Sequence, residues 1–588
     1  MKGCRVSRSN RIDEEGSTFG RRAVLLGVFA AAVLGRLPAL QSWWCLDDWG
    51  QLARAAGLLA AEPGLPARWL SQQFWWQMTW PVLQLDATAH GLLRLLLHGL
   101  AAVTVVRVAF RVGLGSLAGL LAGLLFAASP VAFTILFWAS GIQELLAGLL
   151  ALVAVERWLA GNRRDVLLAL LCGAGSILAK ESGFFLPLLF LGLLWYDRRR
   201  SAGGSAVAWA VAAGLLLLVV LESILVLNHF GTEPGDPYHV AGPRMIPSNL
   251  GTFGWWLGTP GAVFTGQMTW TAAGIGSLLF VVWGICGWWA WRHGRRAPLV
   301  LLLAALGSLG PALMLHTHIS PYLAYVAAAG LYLSLVHLIP GRWRLGVPLG
   351  GVLVVAAMLW GLLGMRASIA RVDADGLPVT PVIRAAVVSR ESADRIQESV
   401  ASLAAGKPVH LVVFQQPLRE ADLERAARLG PEAVKETPRR TALGGELGLA
   451  LLAGPGGSGR WVNSLLDVRP EATVFCETAE RLEPWGPCWD ALIYATFIDV
   501  VVGNYERAFA QLQRALDIDD DPAGFKYDAD RCEVPAPSLR AGGSSFVRWM
   551  NAERNRGSLS AAEIATLQRQ FSILVRQVLT AESVPASR

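Results

Sequence analysis

Along the first 365 residues, apolar positions form long runs with almost no charge, separated by short connections that are mostly basic. A helix of about 20 apolar residues crosses the hydrocarbon core of a bilayer. By that measure the pattern predicts helices near 23–41, 86–106, 115–137, 142–160, 165–180, 183–196, 205–227, 271–291, 298–316, 320–339 and 346–365. The pair 165–180 and 183–196 is short for two crossings. The stretch 249–268 is apolar and Trp-rich but broken by Gly and Pro; it reads as a twelfth span or as an interfacial segment. From Arg366 onward the pattern changes to that of a soluble domain of roughly 220 residues, long enough to bury a core of its own. Within it, KPVHLVVFQQP and EATVFCE read as buried strands.

Charge decides between the two span counts. With eleven spans, Arg21-Arg22, Arg107/Arg111, Arg163-Arg164, Arg198-Arg199-Arg200, Arg292/Arg295-Arg296 and Arg342/Arg344 share one side. By the positive-inside rule that side is the cytoplasm. A twelfth span would send Arg292, Arg295 and Arg296 outside. The expected fold is therefore an α-helical polytopic membrane protein of about eleven transmembrane helices with a C-terminal soluble domain, mixed α/β or helical. Residues 1–22 form a cytoplasmic tail, 23–365 the membrane domain and 366–588 a domain outside the cytoplasm, periplasmic if the membrane is a bacterial inner membrane. The basic N-terminus precedes an apolar run with no A-x-A-type cleavage site, so the run reads as an uncleaved first span.

Composition fits this reading. The 588 residues are 54% hydrophobic and 16% charged, against about 25% charged in soluble domains. The net charge of +7 belongs to the loops flanking the spans and carries no nucleic-acid signature. Seven cysteines are scattered. Cys172 and Cys286 lie in apolar runs; Cys476, Cys488 and Cys532 lie in the tail, where a pair such as Cys476–Cys488 is free to oxidise outside the cytoplasm.

Ionisable groups at a membrane are costly and mark function by default. With eleven spans, six separate stretches bring such groups to the outer face. Asp47-Asp48 open the first outer loop, and His90 lies near the outer end of the second span. Gln143-Glu144 begin the fourth span, and Lys180-Glu181 end the fifth. His239 and Arg244 lie in the outer loop 228–270. His316 and His318 lie in the turn before the tenth span, with Tyr322 and Tyr325 a turn further in. Plainer roles compete with each: Asp48 is placed to cap an interfacial helix, Lys180 and Glu181 to pair at the interface. His316-Thr317-His318 has a metal-ligand spacing but no further identified ligand. Glu156 and Glu222 lie inside spans without an obvious partner.

The order of these features resembles the GT-C superfamily of membrane glycosyltransferases, which includes protein O-mannosyltransferases and aminoarabinose transferases. LDDW follows the first span and PVLQLDATAHGLLRLLLHGL opens the second. LLFAASPVAFTILFWASGIQELLAGLLALVAVERWLAG and LLCGAGSILAKESGFFLPLLFLGLLWYD are similar to that group's third to sixth spans, and LMLHTHISPYLAYVAAAGLYLSL to its late His/Tyr helix. In the tail, GNYERAFAQLQRALDID is similar to the second helix of a tetratricopeptide repeat, which implies a helix pair over 489–519. A stacking fold needs about three repeats, and no second copy is evident.

The resemblance implies an inverting transfer of a sugar from a polyprenyl-phosphate-linked donor to a lipid, glycan or protein acceptor. Such chemistry needs a carboxylate to take the acceptor's proton and cations to stabilise the departing phosphate. Asp47 or Asp48 is implied as the base. Lys180, Arg244, His316 and His318 are implied for the phosphate, Glu144 for orienting the acceptor or a divalent cation, with Glu181 and Tyr322 alongside. Members differ in metal dependence, which leaves a divalent cation open. Three rivals remain: a lipid-linked glycan polymerase or ligase, which would lean on one late outer loop; a transporter, which would bury its charges at mid-membrane; and a non-catalytic scaffold acting through the tail.

Overall fold

A computed structural model of the chain describes residues 8–59, 68–196, 205–229, 239–258, 270–316 and 319–339, then 381–401, 408–415, 438–477, 482–501, 504–518 and isolated positions elsewhere. It is mostly helical and divides into two units, Met1–Val387 and Val388–Arg588.

In the first unit the chain runs through α1 (Arg8–Leu34), α2 (Asp47–Ala55), α3 (Trp75–Leu83), α4 (Ala87–Arg111), α5 (Ser116–Ala128), α6 (Ala132–Phe137) and α7 (Ile142–Ala160). It continues through α8 (Arg163–Ala179), α9 (Leu186–Tyr196), α10 (Ser205–His229), α11 (Ile246–Gly258), α12 (Trp270–Arg292), α13 (Ala297–Leu313) and α14 (Tyr325–Leu338). Among the described residues, six stretches are long and apolar enough to cross a membrane: Gly20–Gln41, Ala87–Arg111, Ala139–Ala160, Ala206–Val226, Trp270–Arg292 and Pro321–Leu338. Three shorter apolar helices accompany them there, over Ser116–Ala128, Glu181–Leu194 and Ala297–Leu313. The span expected at 346–365 lies largely outside the described residues.

One expectation changes. The run 115–137 is not one helix: it breaks at Ser129-Pro130 into α5 and α6, because proline has no N–H to continue the ladder. The carbonyls left over at the end of α5 are taken by buried cations and polar groups. Arg36 Nη2 donates to Ser129 O (2.8 Å) and its Nε to Ala127 O (3.4 Å), while His98 Nε2 sits 3.3 Å from Ala127 O. Of the stretch 249–268, residues to Gly258 belong to α11 (Ile246–Gly258), and 259–268 lie outside the described residues. Helix α11 lies against α12 at glycines, where a Cβ on Gly276 would come within 1.8 Å of Gly251 O, the close approach small residues permit between membrane helices.

The second unit holds a four-stranded sheet in the order β2-β1-β3-β4, with β1 His410–Gln415, β2 Ser458–Val462, β3 Thr473–Glu477 and β4 Leu482–Pro487. β1 runs parallel to β2 and β3, and β4 is antiparallel to β3. Both stretches read as strands from sequence are strands. The parallel β1–β2 link carries the helices Pro438–Ala442 and Glu446–Ala453, as a crossover requires. The helix pair Cys488–Val501 and Tyr505–Ile518 packs Ala508, Leu512 and Ala515 into one core with Phe414, Val474 and Cys476. Buried Asp499 bonds Arg507 Nε at 2.7 Å across the pair. Cys476 and Cys488 are free thiols buried in that core, and burial pushes the Cys488 thiol up to about 11.

Candidate functional site

The two neighbouring aspartates have opposite environments. Leu46 adopts φ 54° and ψ −124°, a conformation ordinarily left to glycine at the first central position of a type II′ turn. The turn closes with Asp48 N donating to Cys45 O at 3.1 Å. Asp48 folds back under it, fully buried. Its Oδ2 accepts from Cys45 N (3.0 Å), and its Oδ1 accepts from Ser140 N (2.7 Å) and Ser140 Oγ (2.6 Å). Asp48 thus ties the start of α2 to the segment before α7, 92 residues away. Burial raises its carboxyl to about 6, opposed by the Ser140 and Cys45 bonds and by the Arg94 charge. Burial, reinforced by Asp48 and Asp47, likewise holds the Cys45 thiol well above its usual range.

Asp47, in the first turn of the same helix, is exposed. The protein around it raises its carboxyl, while the charges of Arg68, Lys180 and Arg54 pull it down. Of the pair, only Asp47 is open to a substrate.

Arg68 and Lys180 belong to a compact charged cluster. Arg68 Nε meets Glu181 Oε1 at 2.9 Å, and Lys180 Nζ meets Glu181 Oε2 at 3.4 Å and Gln143 Oε1 at 3.5 Å. Ser182 Oγ donates to Glu144 Oε2 (2.8 Å), whereas Glu144 Oε1 is buried with no hydrogen-bond partner. The 180–183 turn that presents these groups is tightly fitted: a Cβ on Gly183 would lie 2.5 Å from Ser176 Oγ and 2.8 Å from the Ser176 carbonyl carbon.

Arg68, Glu144, Lys180, Glu181 and Ser182 form the polar end of a cavity of about 750 Å³. Its remaining walls come from α9, α10, α12 and α13 and are almost wholly apolar. Two of the lining residues, Val240 and Leu315, face each other in an isolated antiparallel bridge at the rim. It is closed by His316 N to His239 O (3.1 Å) and clamped by Asn249 Nδ2, which donates to Leu313 O (3.0 Å) and Leu315 O (2.9 Å). A polar head on an apolar tail would match this division of polar groups and hydrocarbon.

The residues expected from sequence therefore separate. Glu144, Lys180 and Glu181 line the cavity, and Asp47 lies within reach of the Lys180 and Arg68 charges. Arg244 is exposed and not among the lining residues; His316 is exposed at the rim, 6.4 Å from His239 between ring centres. Tyr322 is buried edge-on against Trp138. His318 lies outside the described residues. His90 packs between Trp44 and Trp76, with ring centres 4.8 and 5.7 Å away. Glu156 has partners after all, Arg107 (3.2 Å), Arg111 (3.3 Å) and Arg157 (3.1 Å); Glu222 Oε2 has none.

Sequence reasoning missed Arg68, although it stands apart from the basic clusters assigned to the cytoplasmic side. It also missed Ser140, which nothing local distinguishes. Among the described residues, no three His, Cys, Asp or Glu side chains gather as metal ligands. Compared with known proteins, the chain matches no family model and no curated sequence.

Proposed function

We propose that the chain is a membrane glycosyltransferase of the GT-C type. In this reading it has about eleven spans, a cytoplasmic N-terminus and a tail on the outer face of a bacterial inner membrane. It moves a sugar from a polyprenyl-phosphate carrier to an acceptor hydroxyl, with inversion. One observation carries the reading: a single cavity joins an Arg68/Lys180 end to a long apolar channel, beside an exposed carboxylate.

Asp47 is the base in this scheme. Its carboxylate takes the acceptor proton as the acceptor oxygen bonds to the anomeric carbon and the bond from that carbon to the phosphate oxygen breaks. Arg68 and Lys180, aligned by Glu181, stabilise the negative charge left on the lipid phosphate. Glu144, which lines the cavity and keeps one oxygen without a hydrogen-bond partner, orients the sugar. Asp48 does not react; it holds the turn that presents Asp47.

Deleting the gene and profiling glycolipids, glycans and glycoproteins by mass spectrometry tests the assignment. Loss of one hexose- or pentose-sized increment is the expected result. An unchanged profile, in cells that express the protein and grow normally without it, would count against a transferase.

A further inference from the structure

The channel has a measurable depth. On α13 it is lined along one face, from Ala312 near the polar end to Val300, a helical distance of about 18 Å. On α9 the lining face ends at Gly192. The two walls are in register, because a Cβ on Gly307 would come within 3.2 Å of Phe185 Cβ. Gly192 lies seven residues beyond Phe185 and Val300 seven before Gly307, so both are about 10 Å below that contact. Gly192 has nothing within 4 Å of where its Cβ would be, and it is exposed. The lips above it, Leu188 and Leu303, are 65% and 57% exposed.

We infer that this channel measures the donor's lipid: it holds the prenyl units nearest the phosphate, and Gly192 with Val300 sets where the protein stops touching the chain. The inference rests on the donor-site reading above. Four carbon–carbon bonds of about 1.5 Å, zig-zagged, give roughly 5 Å per prenyl unit, so about three to four units fit in the depth of the channel. Units inside the channel gain close van der Waals packing against the protein that fluid lipid tails do not supply; units beyond these leave past the lips into the bilayer and gain none. Selectivity for carrier length therefore has a plateau, and a bulky side chain at Gly192 should shorten it without disturbing the polar end.

The test measures binding of prenyl monophosphates to the full chain in nanodiscs, as mole fraction in the bilayer, for geranyl, farnesyl, geranylgeranyl and undecaprenyl phosphate. Wild-type affinity is expected to rise as far as geranylgeranyl phosphate and then to level off. Gly192→Trp should leave geranyl phosphate within about twofold and weaken the two longest by about tenfold through lost packing contacts. Val300→Trp, approaching from the opposite wall, should impose the same cut-off and guards against misfolding of either variant. Affinity that keeps rising to undecaprenyl phosphate, or tryptophans that weaken every length equally or none, would overturn the length-reading inference while leaving the donor site standing. No binding of any length by wild type would overturn the donor-site reading itself.

Discussion

Asp47 and Asp48 differ by one position, yet one side chain is exposed and the other sealed in. Asp48 is sealed in by three donors, so its removal strands buried N–H and O–H groups at 1–3 kcal/mol each. We expect Asp48→Ala to lower stability by about 3 kcal/mol or more, read as a drop in thermal midpoint, with any loss of transfer following from that. Asp47→Asn should leave the midpoint unchanged, since the side chain is exposed. Asp48 also ties stability to pH. Its folded value of about 6 lies above the ordinary 3.8, so the folded chain keeps a proton that the unfolded chain releases. Its contribution favours the fold at low pH and is lost as pH rises from about 4 through about 6, a change of about 3 kcal/mol. Melting wild type and Asp48→Asn across that range isolates the effect; parallel curves would contradict it. Of this contrast only the acidic pair was legible in the chain. Which aspartate is buried is decided by Ser140, 92 residues away, and no local pattern encodes that.

At the level of elements, two turns hold the site. Leu46 sits in a glycine conformation that costs on the order of 1–3 kcal/mol. Leu46→Gly should therefore raise the thermal midpoint, provided the Cys45–Asp48 turn is kept. Gly183→Ala acts in the other direction: the new methyl meets backbone rather than a movable side chain, so stability and the placing of Lys180 and Glu181 should both suffer. Arg68→Ala removes one of the two cations paired with Glu181. On the proposed role it raises the donor KM about 10- to 100-fold while the midpoint stays within a few degrees; an unchanged KM would remove Arg68 from the phosphate site. Helices at 142–160 and 271–291 were readable almost to the residue because long apolar runs leave little choice. The break at Pro130 was not, because apolar residues continue on both sides and the groups that satisfy its carbonyls, Arg36 and His98, come from other helices.

For the whole molecule, the sequence carried the large division between an apolar helical part and a tail containing strands, since composition changes abruptly near Arg366. Packing changes later, after Val387, inside the helix Pro381–Ala401, and hydropathy records composition rather than packing. The convergence of polar residues was legible in part. Lys180, Glu181 and Glu144 line one cavity, while Arg244 stands outside it; an exposed loop charge and a cavity charge look alike in a hydropathy plot. The proposed function depends on one exposed carboxylate beside that cavity. The most direct measurement returns Asp47→Asn to a strain lacking the gene, at wild-type protein level, and follows the glycan increment lost on deletion. The wild-type gene should restore the increment and Asp47→Asn should not; full restoration by Asp47→Asn would contradict a carboxylate base at this position.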